Sequence, residues 1–144
     1  MSDGKCGALS SPDSNCSFCP RLQQFRNRNR DHFPEWHNAP VHSFGDDDAR
    51  LLIVGLAPGL KGANRTGRPF TGDFAGEFLY GILGDFGLAQ GSYTTEADDD
   101  FALIGCRVTN AVRCVPPNPT SAVRVGFDKF SAIGPGGTAD FCGF

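Results

Sequence analysis

No apolar stretch in this chain approaches the roughly 18 residues that a membrane-spanning helix needs, so no such helix is expected. The first twenty residues, MSDGKCGALSSPDSNCSFCP, lack the apolar centre of a secretory signal. The default expectation is therefore a cytoplasmic protein that does not engage a membrane. A basic excess is also missing. The formal net charge is -3, which argues against a wholly electrostatic nucleic-acid binder. The phosphate-loop pattern GxxxxGK[ST] is absent, because Lys61 is followed by Gly62, and no GxGxxG occurs. The generic nucleotide-loop readings fail on that spacing. Internal repeats are absent as well.

What is present fits one domain. A chain of 144 residues can bury about 68–70% of its unfolded surface, enough for a core without covalent staples. Hydrophobic content of 40% and charged content of 20% are ordinary for a globular fold. The charges are unevenly placed. Two acidic triplets, Asp46–Asp48 and Asp98–Asp100, concentrate negative charge, while arginines crowd RLQQFRNRNR (21–30) and Lys61, Arg65 and Arg68 sit in a glycine-rich stretch. A local basic face could bind phosphates on an acidic molecule. Solvated surface charge is the plainer explanation.

The chain divides into a loose polar segment (1–15), a patterned region (16–118) and an atypical tail (119–144) with no clear helical or strand period. Residues 19–33 read as a helix, with Leu22, Phe25 and Phe33 on one side and arginines on the other. RLLIVGL (50–56) reads as a short strand buried on both faces. A helix is expected to start near Thr71–Asp73, either of which can cap it, and to carry Phe74, Phe78 and Ile82 as an apolar stripe with Leu79 and Leu83 beside it. Residues 87–100 read as a loop, and FALIGCRVTNAV (101–112) as a second buried strand. Strand, loop, helix and strand in this order imply an α/β domain with a parallel sheet. Ligands of such sheets bind beyond the carboxyl ends of the strands. The glycine loop and Asn110 both fall there.

Glycines after a buried strand let backbone approach a ligand closely, and their amides can donate to carbonyl or phosphate oxygens. Asp73 at a helix start can be a cap and nothing more. Cys16-Ser17-Phe18-Cys19, with Cys114 far downstream, is the beginning of a zinc or an iron–sulfur site. Alternatively, Cys106 and Cys114 are small buried apolar residues.

Four segments occur in order: CPRL (19–22), GLAPG (55–59), GANRTGRPFTGD (62–73) and NAVRCVPP (110–117). Together they resemble the family 5, or type b, uracil-DNA glycosylases, over roughly residues 16–118. The resemblance implies a three-layer α/β/α sandwich with a central parallel sheet, incomplete at its C-terminus. It implies hydrolysis of the N-glycosidic bond of uracil and other deaminated bases in DNA, leaving an abasic site. It also implies a [4Fe-4S] cluster, with Cys16, Cys19 and Cys114 as three matching ligands. Phe70 would stack on a flipped base. Asn110 would read its edge. Gly55 and Ala57, in the loop whose backbone amides reach a base carbonyl, would complete the base site. Asp73 would orient or activate water, or stabilise a cationic sugar. Lys61, Arg65 and Arg68 would hold phosphates. A monomer is expected.

Two family features have no counterpart. A fourth cysteine belongs in a helix soon after the CVPP segment, where AVRVGFDKF stands, and Cys142 is the only downstream cysteine. A catalytic histidine belongs in a late loop, yet His32, His37 and His42 all precede the first strand. These losses lead to the expectation of a truncated or frameshifted member, altered near Pro117–Thr120. Two other readings follow: an inactive remnant that binds DNA or an iron–sulfur cluster, and an unrelated small zinc protein. The second leaves GANRTGRPFTGD unexplained.

Overall fold

The computed structural model describes residues 12–118. The atypical tail, Cys6 and Cys142 lie outside the described residues, as does most of the polar N-terminal segment. The chain runs α1 (Pro20–His32), β1 (Phe44–Gly45), β2 (Leu51–Gly55), α2 (Ala63–Thr66), α3 (Phe74–Asp85), β3 (Ala89–Gln90), β4 (Ala102–Leu103) and β5 (Cys106–Asn110). None of the helices among the described residues is long and apolar enough to cross a membrane.

The fold is α/β. Its main sheet has the order β1-β5-β2. β2 and β5 pair in parallel, with Leu51 opposite Cys106 and Gly55 opposite Asn110. This is the expected parallel pair. β1 adds an antiparallel strand on the other flank of β5, so the sheet is mixed. The long strand expected over 101–112 is divided. Gly105 takes φ +63°, which favours glycine, and turns the chain between β4 and β5. β4 pairs instead with β3, forming a small second sheet from part of the expected loop.

The expected burial of β2 on both faces does not hold. Among the described residues nothing covers its open flank, and Leu51, Leu52 and Val54 are exposed. The central strand is β5, where Cys106 and Val108 are fully buried.

Pro20 at the first turn starts α1, since its fixed φ suits a helix and its missing N–H leaves nothing unsatisfied there. Arg30 and His32 lie in the last turn, where positive charge complements the helix dipole. The predicted division into apolar and arginine faces is wrong at one position. Arg26 is buried with Leu22 and Asn29 and is only 2% exposed. It is held there by polar partners described below.

In α3 the expected stripe points outward. Phe74 is 80% exposed, and Phe78 and Ile82 are also exposed. The buried face is Gly76, Tyr80 and Leu83. The reason is local. Tyr80 donates its hydroxyl to the Pro69 carbonyl at 2.5 Å, and Gly76 lets the backbone of Phe70 come against the helix. Tyr80 and Leu83 then pack with Phe101, Leu103, Cys106 and Val108 to make the core. Burying each large apolar side chain contributes about 1.5–3 kcal/mol. The core therefore anchors α3, and α3 anchors the end of the glycine loop.

Candidate active site

β2 ends at Gly55, and β5 ends beside it at Asn110. Past these ends the strands stay joined: Ala111 N–H donates to the Gly55 carbonyl at 2.8 Å, and Val112 N–H to Leu56 at 3.0 Å. Gly55 has no room for a side chain. A Cβ there would lie 2.6 Å from Asn110 Oδ1 and 2.8 Å from Phe70 Cε2. So three of the expected base-site residues, Gly55, Phe70 and Asn110, meet at one point. Asn110 is buried as a residue, only 5% exposed, and its Oδ1 faces the space a Gly55 side chain would fill.

Phe70 has φ +55°, a conformation that costs a non-glycine residue energy and often marks a functional site. Several contacts hold it. Gly76 passes so close that a Cβ on it would lie 2.6 Å from the Phe70 carbonyl carbon. The Tyr93 hydroxyl donates to the Phe70 carbonyl at 3.4 Å. Thr71, next along, donates to Arg68 O at 2.8 Å and is buried.

Asp73 is the N-cap of α3. Its Oδ1 accepts from Gly76 N–H at 2.8 Å. This is the capping geometry that its position alone allowed. Its other carboxylate oxygen has no partner among the described residues, and the side chain is exposed. The same Gly76 that it caps lies against the Phe70 backbone carbonyl, so the carboxylate and that carbonyl are neighbours through one residue.

The three expected phosphate contacts differ. Lys61 is exposed and has no acidic partner among the described residues. Arg65 pairs with Glu96 through both carboxylate oxygens, at 2.9 and 3.1 Å, on the surface. Arg68 does not face solvent. Its side chain and that of Asp99 are each only 4% exposed, and they pair at 2.6 and 2.8 Å. Its guanidinium also donates to the Thr94 and Glu96 carbonyls. The rings of Phe44, Tyr80, Tyr93 and Phe101 surround it at 5.2 to 6.0 Å. In this conformation Arg68 is committed to the interior, away from any phosphate. The hydrogen bond from Arg68 holds the Asp99 carboxyl well below the usual carboxylate range. Burial pushes the Tyr80 and Tyr93 hydroxyls up, so both stay protonated donors at neutral pH.

Ala57 lies apart from the ring and amide. With Leu56 to Leu60 it lines an apolar groove closed by Phe25 and by Val115 to Pro117. Loop 37–41 braces the glycine loop from outside. His37 N–H donates to Arg65 O at 2.9 Å. Asn64 Nδ2 donates to Asn38 Oδ1 at 3.0 Å, with both side chains buried.

Cys16, Cys19 and Cys114 share a neighbourhood around Arg26. Arg26 donates to Cys114 Sγ at 3.5 Å and to the Cys16 carbonyl at 2.8 Å. Its Nε is buried without a partner. Burial raises the Cys114 thiol, Arg26 opposes that rise, and Cys16 and Cys19 add to it. The donors are chemically right for iron–sulfur ligation, but a [4Fe-4S] cluster takes four. Among the described residues no three His, Cys, Asp or Glu side chains are grouped closely enough to hold a metal. Cys106 is buried in the core, with its thiol against the Leu88 carbonyl. The described residues therefore do not complete a cluster site.

Residues 42–132 match the uracil DNA glycosylase superfamily. With the parallel pair, the glycine loop and the converging Phe70 and Asn110, this match places the chain in that superfamily. Within it, the chain is similar to proteins called type-5 uracil-DNA glycosylase. It is 48% identical to that of Thermus thermophilus over 108 residues, which is 71% of this chain and 48% of the relative. It is 40% identical to that of Pyrobaculum aerophilum, covering 72% and 47%. For Mycobacterium leprae the identity is 43%, covering 81% and 56%. The chain thus spans about half the length of the curated relatives it matches.

Sequence reasoning missed Tyr80, Tyr93, Asp99 and the Asn38–Asn64 pair. Asn64 stands in GANRTGRPFTGD, but Tyr80, Tyr93, Asp99 and Asn38 belong to no motif. The one signal was Asp99's place in an acidic triplet, which also fits a solvated loop.

Proposed function

We propose that this chain binds DNA containing uracil or another deaminated base and hydrolyses the N-glycosidic bond, leaving an abasic site. The observation that carries the reading is the convergence of Phe70 and Asn110 on Gly55, with Asp73 one contact away. The base leaves the stack, at a cost of a few kcal/mol recovered by stacking and hydrogen bonding in the pocket. Phe70 stacks on it. The Asn110 amide offers a donor and an acceptor to its edge. Gly55 leaves the space in which both meet it. Water then adds its oxygen to the sugar C1′, and the electron pair of the broken bond leaves with the base nitrogen. The free oxygen of Asp73 either takes the proton from that water or stabilises the cationic sugar; its geometry suits both.

Lys61 and Arg65 hold the phosphates on either side. Glu96 competes for Arg65, so Glu96→Gln is expected to tighten binding to single-stranded DNA about two- to fivefold, the range of an exposed ion pair. Fluorescence anisotropy at two salt concentrations checks this. Added salt should shrink the difference.

The chemistry of Cys16, Cys19 and Cys114 suits iron–sulfur ligation, but among the described residues they are not grouped closely enough for it, and no step above depends on it. The enzyme acts as a cytoplasmic monomer.

Uracil-containing DNA incubated with the 144-residue chain tests the reading, with abasic sites measured for the parent and for Asp73→Asn. Release by the parent and a loss of about 10²- to 10⁴-fold in the variant are expected. A second reading, retention of DNA without chemistry, draws on Asp73 acting as a helix cap. Binding with no release from the parent would favour it.

A further inference from the structure

Arg68 and Asp99 are separated by 31 residues and form a buried, doubly hydrogen-bonded pair. The pair is the centre of a larger clasp. Asp99 also accepts from Thr94 N–H at 2.7 Å and Phe101 N–H at 3.2 Å, so it organises its own loop. Arg68 binds two carbonyls of that loop. The loop then presents Tyr93, whose hydroxyl reaches the carbonyl of Phe70. From the other side, Tyr80 holds the carbonyl of Pro69. The residue between these anchors and Thr71 is the one non-glycine of the 50–118 region with positive φ, Phe70. Strain of this kind persists only where the surroundings over-determine it.

We propose that Arg68, Asp99 and Tyr93 are positioning residues that set the Phe70 ring against Gly55, and thereby set the preference for a flipped uracil over ordinary DNA. The inference rests on the base-binding reading above. Arg68 touches no substrate in this role. Its guanidinium fixes the loop, the loop fixes the Phe70 carbonyl, and the carbonyl fixes the ring. Arginine is required because its planar fork meets both oxygens of Asp99 while stacking among four rings. A lysine keeps the charge but cannot do both.

The test uses two single-stranded oligonucleotides, identical except for one uracil or thymine. Affinity for each is measured for the full chain and for Arg68→Lys, Asp99→Asn and Tyr93→Phe. Hydrogen exchange at residues 69–73 is measured alongside. In the variants the uracil-to-thymine ratio is expected to fall at least fivefold. Affinity for the thymine strand, set by Lys61 and Arg65, should stay within twofold. Exchange at 69–73 should quicken at least tenfold, while α1 is unchanged. A merely structural role would weaken both strands together or neither. If a buried-pair variant does not fold, Tyr93→Phe carries the test, since it removes one hydroxyl and keeps the ring. A wild-type preference for uracil that survives in the folded variants overturns the positioning role alone. No preference in the wild type overturns the base-binding reading, and this inference with it.

Discussion

Gly55→Ala is expected to slow base release by about 10²-fold or more, because a displacement of about 1 Å at a positioned site is enough for such a loss. The added carbon would lie 2.6 Å from Asn110 Oδ1, 2.8 Å from Phe70 Cε2 and closer still to Phe70 Cζ. Real Cβ atoms do not tolerate such contacts, so the amide, the ring or both must move. Gly55 itself has an ordinary negative φ, so its backbone accepts alanine and the effect is one of space. The measurement is single-turnover release of uracil. Gly81→Ala is the matching control: nothing lies within 4 Å of a Cβ there. It should leave release unchanged and stabilise α3 by about 0.5–1 kcal/mol. Release by Gly55→Ala within twofold of the parent would mean that Phe70 and Asn110 do not act from where they stand.

The second large effect is on stability. Asp99→Ala is expected to cost about 3–5 kcal/mol, because it leaves the Arg68 guanidinium buried and unpaired. Chemical denaturation at neutral pH reads this directly. The pH dependence carries a sign. The Asp99 carboxyl is held below its ordinary value of 3.8 in the folded chain. Between the two values the unfolded chain binds more protons, so stability rises with pH across that window. The contribution is fully present above the ordinary value. It fades as pH falls through the lowered one. The gap between parent and Asp99→Ala should therefore be constant near neutrality and narrow on acidification below about pH 4. A gap that stays constant well below pH 4 would show that the pair is not what Asp99 contributes.

The sequence made parts of this site readable and hid others, for reasons visible residue by residue. GANRTGRPFTGD and NAVRCVPP are long, and Phe70 and Asn110 sit in them at fixed places. The parallel pairing of β2 with β5 follows from two apolar runs flanking a helix. Arg68 stands in the same motif as Arg65, and nothing in charge pattern distinguishes an arginine inside four aromatic rings from one on the surface. Its partner is the middle residue of DDD (98–100), where only packing can select Asp99. The face of α3 was misjudged because Phe74, Phe78 and Ile82 dominate any count of apolar residues. Burial was decided by one tyrosine hydroxyl and one glycine. Arg26 shows the same limit: a long cationic side chain is turned inward by a carbonyl and a thiol contributed by distant segments.

β2 has a further consequence. It ends at Gly55, which Phe70 and Asn110 crowd, yet it is apolar on both faces, and among the described residues its outer flank is unpaired. Strands of that kind are templates for other strands. Molecules with an intact fold can then adhere edge to edge, without unfolding first. Turbidity in a concentrated sample would report colloidal adhesion through Leu52 and Val54, and a thermal melt would be blind to it. The exposed edge and the crowded Gly55 end belong to the same five residues.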